Sequence, residues 1–209
     1  MRIFGIDPGS ERTGFGCVET DGRRHRLVAC GAIVAAAGDT FPHRLARIHR
    51  ELTAQLTTCR PDCVAIENLF HANNARSALK LGHARGVAML AAIEAGCDIV
   101  EYTPAEVKRA VVGYGRAEKQ QVQQMITLIL GLDKAPKPFD VSDALAVAIC
   151  HLHAMSPVMK VALKSESKPD LKVEGYRRSP ARAYVGKAGA GVPNGALKSW
   201  RKYRPPSIG

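Results

Sequence analysis

The 209 residues carry 30 Lys and Arg against 19 Asp and Glu, a formal net charge of +11. A chain of this length holds one domain with a real core plus an appendage and is short for two full domains. The basic excess is uneven: residues 1–156 contain 18 basic and 16 acidic side chains, whereas residues 157–209 contain 12 and 3. The body is therefore nearly neutral, so net charge alone does not make it a nucleic-acid binder.

No apolar stretch approaches the ~20 residues of a membrane-spanning helix, and no cleavable apolar leader precedes the first strand pattern. The expectation is a soluble, cytoplasmic protein. The six cysteines (17, 30, 59, 63, 97 and 150) form no CxxC pair and mostly lie in apolar runs. They read as reduced, packed thiols in preference to a zinc site built on Cys59 and Cys63.

In chain order, Arg2–Asp7 is a short apolar run closed by Asp-Pro-Gly-Ser, and Thr13–Thr20 is a second run, which together predict a hairpin. A third strand is expected at Leu27–Val34. From Phe41 to Thr58, Leu45, Ile48, Leu52 and Leu56 recur at helical spacing, and Pro61 stops the helix before the strand at Cys63–Ile66. Ala72–Ala95 predicts a long helix or a pair broken around Gly82 and Gly86. A strand at Asp98–Tyr102 runs into Thr103-Pro104, a helix start. Further helices are expected at Lys119–Leu130 and from about Asp140 to Ala154. Strands first, then alternating helices and strands, define an α/β fold with a mixed five-stranded sheet flanked by helices. Residues 157–209, rich in Lys, Arg, Ser, Gly and Pro, read as a disordered or loosely attached basic tail behind a domain of residues 1–156.

Four acids stand out. Asp7 ends the first strand above a tight turn, a position that also suits an acid with no role beyond starting the turn. Glu67 ends a strand expected to be buried on both faces, where parallel sheets present functional groups. Asp140 and Asp143, three apart at a helix start, share one face but equally suit the cap and dipole of that helix. Brought together, four carboxylates repel one another unless cations compensate them. Hard oxygen donors select Mg²⁺ or Mn²⁺, and two such ions support phosphodiester hydrolysis.

Ile6-Asp7-Pro8-Gly9-Ser10 with Thr13-Gly14-Phe15-Gly16, Ala65-Ile66-Glu67-Asn68-Leu69-Phe70, Asn74 through Gly82, Ala84-Arg85-Gly86-Val87, Val107-Lys108, Ala117-Glu118-Lys119 and Asp140 through Ala146 closely resemble the RuvC family of Holliday junction resolvases. The resemblance covers about residues 1–156. It implies a ribonuclease H-like fold, a symmetric homodimer, paired nicks across a four-way DNA junction at a short thymine-containing site, and RuvA and RuvB as branch-migration partners. Asp7, Glu67, Asp140 and Asp143 fall on the family's metal site. Lys119 falls on a basic position near the scissile phosphate, where a cation suits developing negative charge. Lys108 falls on a second basic position, most simply a backbone contact, and Phe70 on an aromatic that stacks on a junction base. Arg76, Lys80 and Arg85 share one helix and could track phosphates. A two-fold symmetric dimer is the simplest way to make two equivalent nicks, with the small residues of Ala72–Ala95 as the candidate interface.

Two other readings remain at this point. The first hairpin also resembles the leading phosphate loop of actin-like ATPases, although 209 residues leave no room for their duplicated domain. A non-catalytic junction-binding protein on the same fold is the other, and the intact acid set argues against it.

Overall fold

The computed structural model describes residues 1–68 and 74–155. Phe70 and the basic segment 157–209 lie outside the described residues.

The first three strands, β1 (Arg2–Asp7), β2 (Arg12–Thr20) and β3 (His25–Val34), form an antiparallel meander. Helix α1 (Phe41–Cys59) then crosses to β4 (Cys63–Glu67), which pairs parallel with β1 from Ile3↔Cys63 to Ile6↔Ile66. After α2 (Ala75–Glu94) comes β5 (Asp98–Tyr102), parallel to β4. The five strands lie in the order β3-β2-β1-β4-β5, the mixed sheet expected from the sequence. Three more helices follow: α3 (Pro104–Val112), α4 (Lys119–Ile129) and α5 (Phe139–Met155).

The period-two pattern of the strands divides the core between two faces. Phe4, Ile6, Val64 and Ile66 pack with Ile48, Leu52 and Leu56 of α1 and Ala84, Ala88 and Ala91 of α2. Ile3, Cys63 and Ala65 pack with α3, α4 and α5 through Val107, Val111, Val122, Ile126 and Leu145. Complete burial of one such Leu or Ile side chain contributes about 1.5–3 kcal/mol, and both layers bury several.

Helix α5 is the central element. Every residue from Val141 to Leu152 except Asp143 is buried, because α5 lies between the sheet and the outer helices α3 and α4. It can sit that close because glycines of β1 and β2 stand beneath it. A Cβ placed on Gly5 would lie 1.9 Å from the Ala144 carbonyl oxygen, and one on Gly14 would lie 1.9 Å from that of Asp140. At its other end the Tyr102 hydroxyl and His151 Nδ1 lie 2.8 Å apart. Burial raises the Tyr102 pKa and lowers that of His151, which makes the phenol the donor and the neutral imidazole the acceptor.

Local signals set the helix ends. The Thr103 hydroxyl accepts from the Glu106 N–H and the Glu106 carboxylate accepts from the Thr103 N–H, at 3.3 and 2.7 Å, capping α3. Asn74 Oδ1 accepts from the Ser77 N–H at 2.9 Å to start α2. That helix runs unbroken through Gly82 and Gly86, which settles the choice between one helix and two. Among the described residues, Cys17, Cys59, Cys63, Cys97 and Cys150 are buried as packing groups, and Cys30 is exposed. Burial pushes the Cys17 thiol up to about 12. No helix among them is long and apolar enough to cross a membrane.

Candidate active site

The register of the sheet places Asp7 and Glu67 side by side. Ile6 pairs with Ile66 across the parallel β1–β4 ladder, and the next residue along each strand is the acid. On its other side Asp7 pairs with Gly14 of β2, and Gly14 is the residue that supports the Asp140 backbone. The glycine contact thus lowers the N-terminal part of α5, with Asp140 and Asp143, onto the end of β1. Three distant segments of chain bring four carboxylates to one edge of the sheet.

Their electrostatics show the proximity. Burial holds the Asp7 carboxyl well above the ordinary carboxylate range, and the charges of Glu67, Asp143 and Asp140 push it further. Burial and Asp143 likewise raise Glu67, while a hydrogen bond with the Asp7 side chain and the charges of Lys119 and Lys108 draw it back. Burial raises Asp143, partly offset by Lys119. Without further positive charge, this group of acids favours keeping a proton.

Two cations of the chain answer part of that repulsion. Lys119 Nζ donates to Asp143 Oδ2 at 3.0 Å. Burial disfavours the Lys119 ammonium, but the bond to Asp143 and the charges of Asp143, Asp7 and Asp140 leave its pKa raised. Lysine at the first position of a helix opposes the helix dipole, so its placement at the start of α4 is explained by the acids it faces. Arg12 Nη1 donates to Asp140 Oδ2 at 3.3 Å.

The donor set is all oxygen, with neither thiolate nor imidazole among the four, which fits a hard divalent cation such as Mg²⁺ or Mn²⁺. Among the described residues no three His, Cys, Asp or Glu side chains converge as a finished ion cage. Asp140 and Asp143 are instead paired with the chain's own cations, Arg12 and Lys119. Burial first, and then mutual repulsion, raises Asp7 and Glu67, and a bound divalent cation would offset both.

The other sequence-predicted positions divide. Lys108 on α3 lies near enough for its charge to act on both Glu67 and Asp143. Arg76 is exposed in the first turn of α2. Lys80 lies over the Phe41 ring, 5.9 Å from its centroid. Arg85 does not share their outward face: it forms an ion pair with Glu101 of β5 and is 24% exposed. Phe70 belongs to the undescribed segment between β4 and α2.

Two contributors carried no assignment in the sequence reading. Thr13, fully buried, donates its hydroxyl to the Gly9 carbonyl at 2.8 Å and accepts from the Gly9 N–H at 3.3 Å. It thereby fixes the turn that follows Asp7. Its signal was its place inside the Thr-Gly-Phe-Gly run. Arg12 had no local signal, because its partner is 128 residues away.

Strand-end acids beside a helix carrying two more, on a sheet of this order, define a ribonuclease H-like nuclease. The family model described as crossover junction endodeoxyribonuclease RuvC matches residues 3–151. A RuvC protein of Koribacter versatilis is 52% identical over 166 residues, spanning 79% of this chain and 100% of the relative. The solved Thermus thermophilus RuvC structure superposes with a TM-score of 0.68 at 37% identity, covering 74% of this chain and 95% of that one. The same protein in complex with a Holliday junction substrate gives 0.67 at 35% identity over the same shares. This chain belongs to the RuvC family of crossover junction endodeoxyribonucleases, a family of metal-dependent nucleases.

Proposed function

We propose that the protein resolves four-way DNA junctions in the cytoplasm, cutting two symmetry-related strands by hydrolysis at the edge formed by Asp7, Glu67, Asp140 and Asp143. The observation that carries this reading is the placement of four carboxylates from β1, β4 and α5 at one sheet edge, each near enough to disturb the ionisation of a neighbour. Such an arrangement is costly in a protein that only binds polyanionic DNA, and it has a use where cations are held against phosphate.

The four acids would hold two Mg²⁺ ions, for which Mn²⁺ can substitute, and these would supply an activated water and charge stabilisation at the leaving 3′ oxygen. Glu67 and Asp7 orient the site from rigid strand ends, and α5 presents Asp140 and Asp143 from the opposite side. Lys119 stands beside Asp143 with its side chain 63% exposed, so the ammonium can reach a phosphate oxygen while remaining over the acids. There it stabilises the negative charge that grows as the phosphate is attacked. Lys108, Arg76 and Lys80 hold the DNA backbone in this reading, and Phe70 stacks on an exposed base. Arg85 braces α2 against β5 through Glu101.

The protein acts as a homodimer in this reading, with α2 as the interface. Along that helix Ala78, Leu79, Gly82, Gly86, Val87 and Leu90 line a shallow apolar groove. Leu79 and Leu90 are 64% and 51% exposed, an apolar patch that a second copy would cover. Coupling to the branch-migration proteins RuvA and RuvB is supported by family membership.

The test is Glu67→Gln assayed with a four-way junction in Mg²⁺. The variant should bind the junction with wild-type affinity and fail to cut it. Wild-type cutting would remove Glu67 from the reacting site.

A further inference from the structure

Arg12 begins β2, where pairing with Val34 of β3 fixes its backbone. Its side chain reaches across the turn after Asp7 to meet Asp140. The bond is single and long, 3.3 Å from Nη1 to Oδ2, and both partners are open to water, with side chains 46% and 28% exposed. A committed Arg–carboxylate pair uses two parallel N–H donors at shorter range. Here most of the guanidinium's donors remain unused by the acid, and exposed pairs of this kind are weak. Lys119 is held closer, at 3.0 Å to an Asp143 that is only 19% exposed. The two cations are therefore unequal: Arg12 holds its acid by the longer bond, and that acid, Asp140, is the more exposed of the two.

We propose that Arg12 is an exchangeable counter-cation that occupies Asp140 until a divalent cation takes the carboxylate, and that it then transfers its guanidinium to a phosphate of the bound DNA. The inference rests on the reading of Asp7, Glu67, Asp140 and Asp143 as the metal site. It makes Arg12 a positioning residue that links metal occupancy to substrate binding. In the free protein it competes with the ion for Asp140. With DNA present the guanidinium has a better partner, because a phosphate accepts its planar fork of donors. Metal and junction then favour each other's binding through one side chain, a reciprocal coupling.

The experiment measures Mn²⁺ binding to the full chain by the loss of the free-ion paramagnetic resonance signal, for wild type, Arg12→Gln, Arg12→Lys and Asp7→Asn. It also measures the salt dependence of binding to a four-way junction. Without DNA, Arg12→Gln should bind Mn²⁺ about two- to fivefold more tightly, the scale of an exposed ion pair. Its log–log salt slope for junction binding should be shallower by about one, the loss of one phosphate contact. Arg12→Lys should keep the wild-type slope. Unchanged or weaker Mn²⁺ binding by Arg12→Gln would overturn the competition, and an unchanged salt slope would overturn the transfer to phosphate. Asp7→Asn separates the two levels of the argument. If it binds Mn²⁺ as wild type does, the metal site itself is misassigned; if it loses Mn²⁺ while Arg12→Gln matches wild type, only the role of Arg12 fails.

Discussion

Lys119 and Asp143 meet at 3.0 Å across 24 residues of sequence, joining the first turn of α4 to the N-terminal part of α5. The contact sets a basic group against the one acid of the α5 core segment that is not buried in apolar packing. It predicts a division of labour in substitutions. Lys119→Met should reduce single-turnover junction cutting by about 10²–10³-fold, the scale of one lost transition-state donor. Junction affinity should change little, since one phosphate contact among many is lost. Equal losses in binding and cutting would show Lys119 to be an ordinary backbone contact.

Asp7 carries a stability cost with a definite pH signature. Its folded pKa is raised, first by burial and then by the neighbouring acids. A group of this kind contributes no penalty below the ordinary carboxylate pKa, about 4, and destabilises the fold as pH rises through the raised folded value. Asp7→Asn should therefore melt at a higher temperature than wild type at neutral pH without divalent ions. The difference should shrink as pH falls toward the ordinary carboxylate value. Adding Mg²⁺ should raise the melting temperature of wild type and leave Asp7→Asn nearly unchanged. Thermal melts across pH, with and without the ion, check both statements.

Gly14, like Gly5, should tolerate no side chain although it bears no functional group. Its missing Cβ leaves room for the Asp140 carbonyl, and an added methyl can be met only by lifting the α5 backbone. Gly14→Ala should destabilise the fold by about 1–3 kcal/mol, as overpacking does, and reduce cutting beyond what the lost stability explains, because Asp140 moves away from Asp7. Denaturant unfolding and cleavage measured below the melting range separate the two effects.

How the fold came to be legible follows from periodicity. The strands around Asp7 and Glu67 and the α1 ladder of Ile48, Leu52 and Leu56 are written in local spacing, which the structure repeats almost residue for residue. The extent of α2 was not, because a glycine costs a helix only about 1 kcal/mol and packing decides whether it breaks. The four acids were legible by order and neighbours. What the sequence could not disclose were partners chosen by tertiary register: Arg12 for Asp140, Arg85 for Glu101, and the role of Gly14 as a floor for α5. Lys80 over Phe41 is of the same kind. A basic residue on a helix announces its charge and not which group will neutralise it.

The α2 groove makes a prediction about assembly. Leu90→Glu puts a charge at one end of the apolar stripe of Leu79, Val87 and Leu90, where pairing with a second copy would bury it unpaired. The variant should sediment as a monomer at concentrations where wild type is dimeric, and it should nick one strand of a junction without the coordinated second nick. A dimeric Leu90→Glu would place the interface elsewhere.

The most direct measurement compares a mobile four-way junction with linear duplex of the same sequence in Mg²⁺, using wild type and Asp7→Asn. Wild type is expected to make paired, symmetric nicks in the junction and leave the duplex intact, and Asp7→Asn to bind the junction without cutting it. Equal cutting of duplex and junction, or cleavage retained by Asp7→Asn, would contradict the account.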